Sequence, residues 1–556
     1  MCYNGHIHMQ MRVFSMALSS KIKVPKPENG TTTRGTGKYR YVYKVIRAYR
    51  GKNGKPTNER ISIGRLDVGS GMLIPNDKYW EYFGETAPII SQDASAGPYD
   101  SIHSIGATFL VWRALETLGV AKILRETFGK EKAAAIMTAS EYMVCRGNVF
   151  ECVGDWCEGY TLHEPKISSQ SSSSLFSSIT YAERMSFFRS WVALQSPDEY
   201  YAYDVTSFSS YSTGLPDVEW GYNRDKDKLP QINFGCYLGQ ISKLPVFYVT
   251  YPGSIVDKSH LKYMMEYNET LGISGATFVM DRGFCKTDNI KYMHSSKLRY
   301  IMGVNEEHKA IRAAIDKARD GIISVSNVAG TGVYSRQVQG RFYGMASTLH
   351  VYYSPEMAEF SRQALYRKVE MQEETLSQLG QLTQKEAKSY RKRFKIIAGK
   401  DGAYKYERDC KKIDEESKNC GFFCILTNLG KSGAETLSIY RRKDTIEKGF
   451  DDIKNFIDMK RLRTHSAETT DGKMFCAFVA LIAASGITNK LSGFLKDNSM
   501  SKDALISELE KIRVVIMPNG GRLTNPLTKT QRTIFETCGI SEDELASYIN
   551  GNDLPF

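Results

Sequence analysis

"YAYDVTSFS", residues 201–209, sets a carboxylate in the middle of an aromatic and β-branched run. Such residues favour the extended, pleated chain, so the stretch predicts a strand. An Asp there costs desolvation energy unless it is hydrogen-bonded, ion-paired or bound to a metal. Two more strands follow, "QINFGCYLG" (231–239) and "LPVFYVTYPG" (244–253). The latter is apolar nearly throughout, as a buried central strand would be. "KSHLKYMMEYNETLG" (258–272) has the period of an amphipathic helix, and "ATFVMDRGF" (276–284) predicts a strand ending in Asp281. Three strands, a helix and a fourth strand predict an α/β fold with a mixed sheet.

Working outward, residues 102–147 predict helices, the Ser-rich "SSQSSSSLFSS" (168–178) a linker or exposed loop, and 181–197 a further helix. Residues 306–435 interrupt the α/β pattern. They hold apparent strands ("FYGMASTLHVYY", 342–353, and "FFCILTN", 422–428) and a long charged helix over about 355–395. Helices resume with "SIYRRKDTIEKGFDDIKN" (438–455) and run to about 494. The expected organisation is a basic β-rich region (1–95), a helical region (96–198), a first core segment (199–305), a mostly β insertion (306–435), a second core segment (436–494) and a helical tail (495–556).

The stretch 438–455 reads as one helix. At ~3.6 residues per turn, Tyr440, Lys443, Glu447 and Lys454 share a stripe, and Ile446, Phe450, Ile453 and Ile457 share a neighbouring one that can dock on a core. A carboxylate flanked by cations and a tyrosine suits a metal ion on an anionic substrate. It equally suits a salt-bridged surface helix.

The totals bound the function. A chain of 556 residues, 42% of them apolar, is globular and too long for one ordinary core. No run of ~18–20 apolar residues spans a membrane, and "MFCAFVALIAASGI" (474–487) predicts a buried helix. No signal segment is evident, and eleven scattered cysteines suit reduced thiols in a cytosol. Residues 21–65 hold thirteen Lys or Arg against two acids, nearly the whole net charge of +12. Within them "YRYVYKVIRAYR" (39–50), "GKNGK" and "ERISIGRL" predict a hairpin with one basic face. Arg40, Lys44, Arg47 and Arg50 are candidate contacts to DNA, against the alternative of a solvated arm.

Asp204, Asp281 and Glu447 are the candidate catalytic and metal-binding carboxylates. Strand acids facing a helix acid make an all-oxygen site for Mg²⁺, and two such ions would hold the attacking and leaving oxygens of a phosphodiester. Tyr440, Arg441, Arg442, Lys443 and Lys454 would hold the DNA backbone beside them. The plainer readings are a backbone-bonded strand acid for Asp204 and a turn or cap acid for Asp281. Cys145, Cys152, Cys157 and His163 do not have a zinc-finger spacing, and no phosphate-binding GxxxxGK[ST] loop appears.

Together "YDVTSFS", "VMDRGF" and "YRRKDTIEKGFDDIK" resemble the DDE transposases of bacterial insertion sequences, in the branch with a Tyr, Arg, Glu and Lys signature around the third carboxylate. Tyr440, Glu447 and Lys454 match that signature, and Lys443 stands at its Arg position. "GYNRDKDKLPQINFG" (221–235), "GSIVDKSHL" and "LTKTQRTIFE" (527–536) are similar to the same branch. The resemblance implies an RNase H-like core with a β insertion before the Glu. It implies metal-dependent (Mg²⁺, with Mn²⁺ as substitute) cleavage and strand transfer at inverted-repeat ends. It also implies a homodimer in a synaptic complex and, as one route, a hairpin intermediate. Some relatives stack a flipped base on an insertion Trp. Residues 306–435 contain none, leaving Phe422, Phe423 or Tyr404 as substitutes. The site of action expected is the bacterial cytosol and nucleoid. A catalytically dead DNA-binding descendant and a structure-specific nuclease are the alternatives.

Overall fold

The computed structural model describes residues 23–36, 40–51, 54–83, 99–212, 214–273, 275–379, 381–398 and 404–551. The chain divides into two units, Met1–Pro98 and Tyr99–Phe556. The first holds β1 (Thr31–Arg34), β2 (Arg40–Arg50), β3 (Pro56–Leu66), β4 (Leu73–Pro75) and α1 (Asp77–Phe83). Its four strands pair in chain order, and β2 and β3 form the expected hairpin. The single basic face does not hold. Arg40, Val42 and Lys44 share a face by alternation, Val42 is core, and the Lys44 ammonium lies 4.7 and 4.6 Å from the Tyr82 and Phe83 ring centres. A register shift between Val45 and Arg47 then reassigns the faces, leaving Arg47 and Arg50 exposed.

The second unit opens with β5 (Ser101–Ser104) and the helices α2 (Gly106–Thr117), α3 (Val120–Phe128), α4 (Lys130–Arg146), α5 (Val153–Tyr160), α6 (Ser169–Ser178) and α7 (Tyr181–Ala193). The Ser-rich stretch is therefore a helix and not a loop. Ser168 and Ser171 form a capping box at its start, and Leu175 and Phe176 bury its inner face. His163 and Glu141 form a fully buried pair at 2.9 Å, which accounts for the histidine beside the scattered cysteines.

Next come β6 (Tyr200–Ser209), β7 (Gln231–Gly239), β8 (Pro245–Pro252), α8 (Asp257–Leu271), β9 (Thr277–Met280), α9 (Thr287–Ser295), β10 (Arg299–Gly303), α10 (Lys309–Arg319), β11 (Val328–Gly330), β12 (Val333–Phe342) and β13 (Met345–Tyr353). After them lie α11 (Pro355–Gln378), α12 (Gln384–Tyr390), β14 (Phe394–Ala398), β15 (Tyr404–Arg408), α13 (Cys410–Lys418) and β16 (Phe422–Thr427). Nine of these strands make one mixed sheet, ordered β11-β12-β13-β16-β10-β9-β6-β7-β8. Only the β10–β9 and β9–β6 pairs are parallel. The apolar third strand, β8, is thus an edge strand and not a central one. Its side chains are mostly buried because α7 and the long helix α16 (Ala467–Asp497) cover it. Residues 306–435 are not a separate, mostly β insertion. Their strands β11, β12, β13 and β16 extend the main sheet, and only the β14–β15 hairpin stands apart, packed with α11–α13.

The chain closes with α14 (Gly433–Arg441), α15 (Asp444–Asp451), α16 (Ala467–Asp497), α17 (Lys502–Leu509), β17 (Arg513–Ile516), β18 (Arg522–Thr524), α18 (Lys529–Cys538) and α19 (Glu542–Ile549). Helix α16 is long and apolar enough to cross a membrane, yet 78% of its apolar window is buried, as in a core helix. It packs on α2, α4, α6, α18 and β8. The crossing with α6 is close because Gly472 lacks a side chain: a Cβ there would meet the Phe176 carbonyl oxygen at 1.9 Å. Gly472→Ala should therefore destabilise the second unit by about 1–3 kcal/mol or more, through overpacking that backbone cannot relieve. Urea denaturation reads this as a lower midpoint, and an unchanged midpoint would contradict the close crossing.

Candidate active site

The site starts from strand register. In the parallel β6–β9 ladder Tyr203 pairs with Met280, so the next residue on each chain is a carboxylate, Asp204 beside Asp281. Adjacent strands lie only about 4.8 Å apart, so two like charges are held side by side. Asp204 sits within the strand between buried Tyr203 and Val205, and its Oδ1 accepts the Val205 N–H at 2.8 Å. Burial pushes its pKa up to about 6. The Asp281 charge adds to the rise, while the Val205 hydrogen bond and the charges of Arg224 and Lys443 oppose it.

Asp281 is exposed, just past the strand end, where the chain turns into a short 3₁₀ segment (Arg282–Phe284). Its Oδ1 caps that turn through the Arg282 N–H at 2.8 Å. The Tyr440 hydroxyl donates to the same Oδ1 at 3.2 Å. Gly303 makes this contact possible, since a Cβ there would stand 2.5 Å from the Tyr440 oxygen. Burial and the Asp281 charge raise the Tyr440 pKa, so the hydroxyl stays a donor. Both plain roles, backbone-bonded strand acid and cap acid, are thus filled by groups that also face each other.

The stretch 438–455 is not one helix. Helix α14 ends at Arg441, the chain turns through Arg442 and Lys443, and α15 restarts at Asp444. Tyr440 therefore reaches Asp281 from the end of one helix, while Glu447 stands on the next. The second helix ends in a wider, π-type turn over Asp452–Phe456. Ile446 docks on Ala202 and Leu238, with Phe450 packed beside them. Ala202 shares a sheet face with Asp204, so α15 rests on the face that carries the strand carboxylate. Gly449 lets it approach, because a Cβ there would meet the Leu238 side chain at 2.9 Å.

Glu447 lies on the open rim of α15. Its side chain is 66% exposed and 3.8 Å from the Lys443 ammonium. Lys443, at the Arg position of the signature, is the cation whose charge reaches both Glu447 and Asp204. Arg441 and Arg442 are exposed, with the Arg442 guanidinium 5.9 Å from the Tyr200 ring centre. Among the described residues, no three His, Cys, Asp or Glu side chains are grouped closely enough to hold a metal ion. The structure thus brings together Asp204, Asp281, Tyr440 and Lys443, with Glu447 alongside but turned to Lys443.

Lys454 is buried, with its ammonium 2.8 Å from Asp225 and its pKa lowered by burial. It is one of three ion pairs that fix the β6–β7 connection. The others are Arg461–Asp227 at 2.8 Å and Arg224–Asp257 at 2.6 Å. Arg224, Asp225 and Asp227 lie in "GYNRDKDKLPQINFG", a stretch the sequence offers as similar to the family and without a structural role for its charges. The alternating charges of Arg224, Asp225, Lys226 and Asp227 were the available signal.

Asp204 gives the site a pH signature. Its folded-state pKa, about 6, lies above the ordinary 3.8, so between these values the folded chain binds more protons than the unfolded one. Stability is therefore lost as pH rises through that window. Asp204→Asn should be more stable than wild type by about 2–3 kcal/mol at about pH 8, with the gap closing towards about pH 4. Urea midpoints at both pH values check this. A gap independent of pH would contradict the half-buried, charge-opposed carboxylate.

Comparison with known proteins accords with this geometry. The family model described as "Transposase DDE domain" matches residues 195–483, from just before β6 into α16. No curated protein matches the sequence. Among solved structures, a cryo-EM structure of the piggyBac transposase synaptic complex with hairpin DNA is similar at 9% identity and a TM-score of 0.35. That alignment covers 73% of this chain and 80% of that one, a likeness too weak to place any residue. With more than half its length matched by the family model, the chain belongs to the transposase DDE domain family.

Proposed function

We propose that this chain is a cut-and-paste DNA transposase that cleaves and joins phosphodiesters at the inverted-repeat ends of its own element, using Asp204, Asp281 and Glu447. One observation carries the reading. In a chain of this family, the parallel register sets Asp281 beside Asp204 on the sheet face against which the Glu447 helix docks.

The donor chemistry, though not the present spacing of the side chains, suits a pair of Mg²⁺ ions, with Mn²⁺ as substitute. All donors are carboxylate oxygens, the set that hard divalent cations take. Burial and a neighbouring like charge work against ionised Asp204, and a cation would relieve both. When bound, such ions polarise the scissile phosphodiester and lower the pKa of the attacking hydroxyl. Glu447 would complete the donor set by leaving Lys443.

The chain's own groups do the rest. Tyr440 holds the Asp281 carboxylate through its hydroxyl and acts as a positioning residue. Lys443, freed from Glu447, would offset phosphate charge as a point cation, which lacks the fixed two-pronged geometry of an Arg. Arg441 and Arg442 are exposed for backbone contact. Lys454, paired with Asp225, is assigned to fixing the β6–β7 connection and not to DNA. In the first unit, Arg40, Lys44, Arg47 and Arg50 would contribute salt-sensitive affinity for phosphates, Lys44 only after leaving its rings. The reading includes a homodimer that holds two element ends together.

A cleavage assay tests it, with full-length protein, DNA carrying the repeats that flank its gene, and added Mg²⁺. Cuts at the repeat ends should depend on metal and fall by about a hundredfold or more in Asp204→Ala and Glu447→Gln, with DNA binding retained. Wild-type activity in Glu447→Gln would overturn the assignment. Specific binding without cuts in either metal would identify a catalytically dead descendant.

A further inference from the structure

Beside α15 lies a cavity of about 320 Å³, walled by the β7–β8 turn, α15, α16 and the start of α17. Three lysines reach it from three elements: Lys243 from the turn, Lys448 from α15 and Lys502 from α17. Thr445, Thr488 and Asn489 add neutral polar groups to its wall. Two carboxylates also line it, and both are engaged. Asp452 bonds the Lys502 ammonium, and Asp451 accepts from the Asn455 amide at 2.7 Å. Asp451 keeps its charge, because its partner is a neutral amide, so three lysines against two carboxylates leave the cavity a net charge of +1, and among the described residues Lys243 and Lys448 stand in no ion pair.

The turn that presents Lys243 is firmly held. Glu199 accepts the Ile241 and Ser242 N–H groups at 2.8 and 3.0 Å. Asn489 donates to the Ser242 and Lys243 carbonyls at 3.0 and 3.3 Å. Lys243 adopts a left-handed backbone, φ 55°, which costs energy for a residue with a side chain. Glycine or asparagine would occupy that conformation more cheaply, yet the turn carries a long cation there.

We infer that this cavity binds a backbone phosphate of DNA, between the Lys243 and Lys448 ammoniums, on the flank of α15 that carries Lys448. This rests on the transposase reading, since Lys448 follows Glu447 directly and a strand held there runs across the same helix. At about 3.6 residues per turn, Lys448 projects to one side of Glu447 on the same helix, so both can border one bound strand.

The test uses the full chain, the Lys243→Ala/Lys448→Ala double variant, and Lys448→Gln as a milder change. Lys411→Ala, on exposed α13, is the control. Affinity for repeat-end duplex is measured across chloride concentrations. The double variant should lower the slope of log affinity against log salt by about one unit, the share of one lost phosphate contact, while the control keeps it. A wild-type slope in both cavity variants overturns the inference while leaving the transposase reading intact. A wild-type chain that neither binds nor cuts the repeat ends overturns both. Calorimetry with inorganic phosphate supplies the other arm. Micromolar binding that the double variant loses would assign the cavity to a free phosphate ligand and overturn the DNA assignment.

Discussion

Everything at the candidate site depends on the pairing of β6 with β9. Because the two strands are parallel and in register at Tyr203 and Met280, their next residues form a pair of neighbouring carboxylates. No side-chain preference would bring two anions together; the backbone ladder does it. Their mutual repulsion and the burial of Asp204 are stabilisation withheld from the fold, as expected where structure is spent on a function. Tyr440, Lys443 and Arg224 then surround the pair with a donor and two cations.

The second constraint is how close α15 comes to the sheet. Ile446 and Phe450 provide the apolar contact, and Gly449 removes the side chain that would hold the helix away from Leu238. The chain on either side of this helix is fixed by different means. A tight turn at Arg442–Lys443 precedes it, and a wide turn follows, with Lys454 anchored to Asp225. The connection that supplies Asp225 is itself tied by Arg461 and Arg224, so the carboxylate strand, the helix and the β6–β7 connection form one braced assembly.

Much of this was legible in the sequence where the physics is local. The strands around Asp204 and Gln231 show in their aromatic and β-branched residues, and Asp281 reads as a strand end because a short apolar run stops there. Non-local features were hidden. No Gly or Pro marks the break between α14 and α15, so Tyr440 and Glu447 read as one stripe although they reach the site from two helices. Lys454 read as a free cation because its partner lies 229 residues away. The Ser-rich segment reads as a loop because serine favours turns in isolation, whereas the Ser168–Ser171 capping box and the burial of Leu175 and Phe176 decide the helix. The strands of 306–435 read as a separate insertion because they pair mostly with one another, and β16 alone among them joins the rest of the sheet, through β10.

The central claim is that Asp204 and Asp281 are paired in order to hold a divalent cation. The most direct measurement is Mn²⁺ binding followed by electron paramagnetic resonance, comparing wild type with Asp281→Asn at neutral pH and without DNA. Asp281 is exposed at a strand end, so its amide variant should keep the fold. The account predicts that wild type binds Mn²⁺ and that the variant's affinity falls by about tenfold or more, the loss of one charged ligand from the pair. Equal affinity in the two proteins would contradict it.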